Sequence, residues 1–302
     1  MRTEQAAVNG ISITYEDKGP KGAPVILLVM GLGGQLTLWP DEFVDALNER
    51  GFRTIRYDNR DVGLSTRFEA AGIPNVKWMI VKSVIGLPVR PAYTLADMAA
   101  DGVGLLDHLG IDRAHVVGVS MGGMISQHIA ARYPERVLSL TSVMSTTGNR
   151  RLPRAQKEAM RVLANRPMNG DKEALIAYSV GAARVIGSPG YPSAEDRLER
   201  RVRADFERGW YPQGVARQMA AIVADGDRRP LLKDIKAPTL VIHGEDDPLV
   251  PLPGGRDTAD NIAGSRLKTI PGMGHDLPLA LVDTLADAIA EHIDATATVV
   301  RC

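Results

Sequence analysis

A chain of 302 residues that is 44% hydrophobic can bury a sizeable core, and at this length an α/β fold often keeps one core and carries an insertion. Its 36 basic and 36 acidic residues cancel, which argues against a nucleic-acid partner or an anionic membrane surface. The sole cysteine, Cys302, excludes an intrachain disulfide and is expected to be a bystander; with no apolar leader between Met1 and Tyr15 and no long apolar run, the chain is expected to be soluble and cytoplasmic.

In chain order, Asn9-Gly10 stands between β-prone residues and predicts a hairpin. Pro24 to Met30 is a continuous apolar run, the pattern of a strand covered on both faces. It ends in Gly31-Leu32-Gly33-Gly34, which is either plain turn chemistry or a loop whose amides face a ligand. That spacing is not G-x-G-x-x-G, which argues against a dinucleotide loop. A helical pattern follows over 39–47, then a strand from Arg53 to Asp58. The charged turn from Asn59 to Ser65 is expected to serve structure through solvation and local salt bridges. Residues 73–88 form an apolar insert, either a satellite core or one wall of a pocket mouth. Thr94 caps an amphipathic helix with Asp97 in its first turn and Gly110 at its end.

At Ser120 a short β-branched run breaks abruptly into a helix-compatible stretch, Gly118-Val119-Ser120-Met121-Gly122. A serine becomes a useful nucleophile when its oxygen is exposed, relieved of its proton and faced by donors for the oxyanion, and a sharp strand-to-helix turn favours all three. Ser120 is therefore the candidate nucleophile. Its presence favours the second reading of the earlier glycine loop, so the backbone N–H groups of Leu32 and Met121 become the candidate oxyanion donors.

After a helix closed by Tyr133-Pro134, residues 137–144 read as a strand. The composition then shifts. Residues 145–235 are rich in Arg, Glu, Ala and Met and predict several short helices with no strand. They form an expected helical cap that divides the core into 1–144 and 236–302 and closes over the site. Of its aromatics Tyr178, Tyr191, Phe206, Trp210 and Tyr211, one or two are expected to reach the cavity. Strands resume at 238–243 and 267–270, and a helix over 279–293 ends the pattern.

Gly244-Glu245-Asp246-Asp247-Pro248 follows the first of these strands and Pro271-Gly272-Met273-Gly274-His275 the second. In a parallel sheet the strand C-termini share one edge, so Ser120, an acid at 246 or 247, and His275 are expected on one rim. The order Ser, Asp, His is that of the α/β-hydrolases. His108, His115, His128, His243 and His292 fall within helices or at strand ends and are expected to pack or face solvent. No Cys, His or acidic cluster has metal-ligand spacing, so neither metal nor cofactor is implied.

Taken together, the strand with its glycine loop, Gly118-x-Ser120-x-Gly122, His243-Gly244-x-x-Asp247-Pro248-x-Val250-Pro251 and Pro271-Gly272-x-Gly274-His275 resemble the α/β-hydrolase superfamily over the whole chain. Within it, Val29 to Gly34 and Tyr57-Asp58-x-Arg60-Asp61-x-Gly63-x-Ser65 look most like the branch of bacterial anthracycline methylesterases and uncharacterised esterases. Met30 stands where most of the superfamily has His, a replacement that branch tolerates. The resemblance implies an α/β fold with a mostly parallel central sheet flanked by helices. It also selects Asp247, which precedes Pro248 as the family's acid does, over Asp246.

The implied enzyme is a serine esterase that cleaves a small or medium carboxylic ester through Ser120, His275 and Asp247 and an acyl-enzyme. Met30, Trp78 and Trp210 are the candidate substrate contacts. The same scaffold also supports C–C bond hydrolysis, perhydrolysis or a ligand receptor without turnover. Dehalogenase and epoxide-hydrolase chemistry is disfavoured, because both need a carboxylate where Ser120 stands. A small-molecule ester is the expected partner, with no nucleic acid and no membrane; the oligomeric state stays open.

Overall fold

The computed structural model describes residues 3–299, and Cys302 lies outside them. Strands β1 (Glu4–Val8) and β2 (Ile11–Lys18) form the hairpin, turning through Asn9 and Gly10, both at positive φ. There follow β3 (Val25–Val29), α1 (Asp41–Glu49), β4 (Arg53–Tyr57), α2 (Val76–Val84), α3 (Leu95–His108), β5 (Ala114–Val119), α4 (Met121–Arg132) and β6 (Val137–Val143). Five helices separate β6 from the next strand: α5 (Lys157–Ala164), α6 (Lys172–Ile186), α7 (Glu195–Gly209), α8 (Pro212–Asp225) and α9 (Arg229–Leu232). The described chain ends with β7 (Thr239–Gly244), α10 (Pro253–Asp260), β8 (Arg266–Ile270) and α11 (Val282–Val299).

The strands form a single eight-stranded sheet in the order β1-β2-β4-β3-β5-β6-β7-β8. The pairings β1–β2 and β2–β4 are antiparallel, and all the others are parallel. Alternation along the central strands supplies two apolar layers. Leu27, Val29 and Val116 face α3 and α4, whereas Ile26, Leu28, Val117 and Val119 face α1 and α11. Because both faces are covered, β3 and β5 are buried throughout, which is why they read as continuous apolar runs. The predicted Thr94 start also appears, with Thr94 Oγ1 accepting from Asp97 N and Asp97 accepting from Thr94 N, a capping box.

Residues 73–88 depart from both readings offered for them. They form α2, packed against α8, yet among the buried hydrophobic side chains this helix contributes Met79 alone. Trp78, Ile80, Val81, Val84 and Ile85 are exposed. Apolar composition predicted burial, but nothing in the sequence says what lies over such a segment.

The charged turn after β4 is buried rather than solvated. Arg60 pairs with Asp101 inside the core. Two carboxylates of the same region reach the helices between β6 and β7: Arg208 Nη1 meets Asp58 Oδ2 at 2.8 Å, and Arg217 Nε meets Asp61 Oδ2 at 2.8 Å. A small apolar cluster of Ile176, Val180 and Leu198 joins α6 to α7.

Candidate active site

Ser120 sits between the end of β5 and the start of α4 with φ 55° and ψ −120°, a conformation that non-glycine residues rarely adopt. Its backbone is held from both sides. Ser120 N donates to Val143 O at 2.9 Å, and Ser120 O accepts from Met124 N at 3.2 Å and from Ser145 Oγ at 2.8 Å. The flanking glycines are needed for space. A Cβ on Gly122 would lie 2.0 Å from Val29 O, and one on Gly118 would lie 2.3 Å from Gly122 O.

The loops after β7 and β8 bring the other two candidates to the same rim. His275 Nε2 is 2.9 Å from Ser120 Oγ, and His275 Nδ1 is 2.7 Å from Asp247 Oδ2. With Nδ1–H donating to the carboxylate, Nε2 is left as the acceptor for the Ser120 hydroxyl proton. Asp247 is buried, and its other oxygen accepts from Leu249 N at 2.9 Å and Val250 N at 2.8 Å. Asp246 turns the opposite way and accepts from Gly272 N at 2.8 Å, tying the two loops together.

His243, read from the sequence as packing or surface, is buried beside this acid. Its Nε2 donates to Val250 O at 2.7 Å and lies 3.8 Å from Asp247 Oδ2, and burial pushes its pKa below the usual histidine range. The histidine loop is itself gripped by the end of α6: His275 N donates to Ile186 O at 2.7 Å, and Gly274 N donates to Ser188 Oγ at 2.9 Å. Ser188 Oγ in turn donates to Asp276, whose carboxyl burial pushes above the usual range.

The 31–34 loop lies directly against Ser120. A Cβ on Gly31 would stand 3.2 Å from Ser120 Cβ. Neither Leu32 N–H nor Met121 N–H donates to another group among the described residues, whereas the next amide, Gly33 N–H, donates to Gln218 Oε1 at 2.8 Å. Gln218 is fully buried and passes its own N–H to Arg60 O at 2.8 Å, so α8 braces this loop. Asn59 Nδ2 holds Met30 O from the other side at 2.9 Å.

These elements open onto a cavity of about 1330 Å³ between the sheet edge and the helices that follow β6. Met30 and Trp210 line it. Trp78, expected there, does not: it sits on the outer side of α2 with its ring half exposed and Lys82 over its face. More aromatics line the cavity than the one or two expected, namely Tyr178, Phe206, Trp210 and Tyr211. Tyr191 instead packs against the core beneath.

Sequence reasoning missed Gln218, Arg208 and Arg217, whose partners are far away in the chain, and Arg166, which lines the cavity; the arginine-rich composition of 145–235 was the only signal. Burial pushes the Asp58 pKa above the usual carboxylate range, against the opposing pull of the Arg208 guanidinium. Bonding to Asp61 holds Arg217 above the usual arginine range. Among the described residues no group of three or more His, Cys, Asp or Glu side chains could hold a metal ion.

The family model described as alpha/beta hydrolase fold matches residues 24–279. The chain is 31% identical to the rhodomycin D methylesterase DauP of Streptomyces sp. strain C5, over 98% of this chain and 99% of that protein. Among solved structures it is similar to a hydrolase from Pseudomonas aeruginosa, with TM-score 0.68 and 28% identity over 97% of each chain. It is also similar to the enol-lactonase from Burkholderia xenovorans, with TM-score 0.71 and 26% identity over 96% of this chain and all of that one (100%).

Proposed function

The chain belongs to the alpha/beta hydrolase fold family, and from that premise we propose that it hydrolyses carboxylic esters through an acyl-enzyme on Ser120. The observation that carries this reading is the hydrogen-bonded row from Ser120 through His275 to Asp247, beside two backbone N–H groups without acceptors. In the proposed mechanism His275 Nε2 takes the Ser120 proton as Oγ attacks the carbonyl carbon, and Leu32 and Met121 N–H receive the oxyanion. His275 then gives that proton to the departing alcohol. A water molecule, deprotonated by the same nitrogen, attacks the acyl carbon and releases the acid and free Ser120. Asp247 fixes the imidazole tautomer and stabilises its cation throughout.

In the same proposal residues 145–235 are a cap over a core made of 1–144 and 236–302, and the substrate is a small-molecule ester met in the cytoplasm without nucleic acid or membrane. The named methylesterase relative supports ester cleavage, and the aromatic and aliphatic side chains around the cavity support a bulky, largely apolar substrate.

A series of p-nitrophenyl esters from acetate to palmitate tests the reading. Burial of each methylene contributes about 0.8 kcal/mol, so kcat/KM should rise roughly fourfold per added carbon until the cavity is full, with no jump at the solubility limit. Flat efficiency across the series would remove the cavity from substrate binding, and the absence of any turnover would remove the esterase reading.

A further inference from the structure

Arg166 lies in the connection between α5 and α6 and lines the cavity. A Cβ built on Gly33 would stand 3.1 Å from Arg166 Nη1. Since consecutive Cα atoms are about 3.8 Å apart, this cation lies within about 9 Å of Leu32, the proposed oxyanion donor.

Two arginines on the neighbouring helices have anions: Arg208 meets Asp58, and Arg217 meets Asp61. Arg166 has no hydrogen-bond or ion-pair partner among the described residues. The Tyr178 hydroxyl is the titratable group whose field acts on it, and that hydroxyl already donates to Val162 O at 2.5 Å. Of the α7 carboxylates that line the cavity, Asp205 accepts from Thr37 Oγ1 and Glu195 pairs with Arg184. Loss of hydration holds the Arg166 guanidinium below the usual arginine range. A partly dehydrated cation with no counter-charge is costly to keep, and it is a ready acceptor of an anion that enters the cavity.

We propose that Arg166 is an anion subsite that takes a carboxylate carried by the ester substrate, a few bonds from the scissile carbonyl; that its ligand is a substrate rests on the esterase reading. The five N–H donors of the guanidinium match a carboxylate in a two-point pair. The preferred ester is then amphiphilic: an apolar body in the aromatic part of the cavity and one anionic group on Arg166.

Binding without turnover separates this subsite from the chemistry. Ser120→Ala is titrated calorimetrically with monomethyl glutarate and with methyl 5-oxohexanoate, in which an acetyl group replaces the carboxylate. Monomethyl glutarate should bind about tenfold or more tightly than the keto ester, a charge-assisted pair being the difference. Adding Arg166→Gln should erase the preference, and Arg166→Lys should restore part of it. Because Arg166 is unpartnered, neither change should lower the melting temperature. In the otherwise unaltered enzyme, Arg166→Gln should reduce the kcat/KM ratio of the two esters by a similar factor, acting through KM. Equal binding of the two esters, a preference that survives Arg166→Gln, or no binding of either would overturn the subsite. Failure of the enzyme to turn over p-nitrophenyl acetate would overturn the esterase reading instead, while the calorimetric result would still decide the subsite.

Discussion

Replacing Gln218 with leucine should weaken the fold and slow the chemistry through the same two hydrogen bonds. Gln218 is fully buried, accepts from Gly33 N–H at 2.8 Å and donates to Arg60 O at 2.8 Å. Leucine preserves most of the volume but strands one backbone donor and one acceptor away from water. Each stranded group costs about 1 to 3 kcal/mol, so urea unfolding should show a loss of about 2 to 6 kcal/mol. The catalytic effect follows from sequence adjacency, because Gly33 is the residue after Leu32. Complete removal of one oxyanion donor costs about 2.7 to 4 kcal/mol, and a donor that is loosened rather than removed should forfeit part of that. The expected result is a kcat about 10- to 100-fold lower with KM little changed, since the oxyanion forms only after attack begins. Steady-state kinetics on p-nitrophenyl butyrate, at a temperature where the variant is fully folded, reads it. Reduced stability with an unchanged kcat would refute the reasoning, because the 31–34 loop would then hold its shape without α8.

Asp247→Asn should lower kcat by about 10⁴ by favouring the wrong histidine tautomer, whereas Asp246→Asn should cost little activity; equal losses in a p-nitrophenyl ester assay would mean that Asp246 shares the role. Arg217→Met leaves the Asp61 carboxylate buried without its partner and should destabilise the fold by about 3 to 5 kcal/mol, seen as a lower urea midpoint; an unmoved midpoint would show that the pair contributes nothing. Burial lowers the His115 pKa to about 4, so the unfolded chain binds a proton below its ordinary pKa near 6.5 that the folded chain refuses. Stability from this group is therefore full above pH 6.5 and lost as pH falls, by about 3 kcal/mol at pH 4. His115→Gln should flatten that part of the acid limb in a series of melts, and an identical limb in both proteins would refute the assignment.

Much of the sheet was legible because its central strands β3, β5 and β7 are buried throughout and their apolar runs need no partner to be recognised. Ser120 was legible for a related reason. The strand, the turn and the helix are adjacent in sequence, and glycine at 118 and 122 follows from close backbone approach. The acid was less so, since Asp246 and Asp247 are chemically alike and only the fold directs one to His275 and the other to Gly272 N. Gln218 was invisible because its partner Gly33 is 185 residues away. Trp78 misled for the opposite reason: an apolar stretch reads as something to be covered, yet α2 meets α8 along one side and leaves that ring outside the cavity. The aromatic lining was underestimated because α6 and α7 meet mainly through Ile176, Val180 and Leu198, leaving Tyr178 and Trp210 to face inward.

The most direct test of the central claim is covalent labelling with a fluorophosphonate, followed by intact mass and peptide mapping alongside Ser120→Ala. A single adduct on Ser120, activity lost in proportion to labelling, and a folded Ser120→Ala that takes no label and keeps less than about a thousandth of the turnover are predicted, a triad serine being worth around 10⁶. An adduct on another residue, or a folded Ser120→Ala that retains more than that activity, would contradict it.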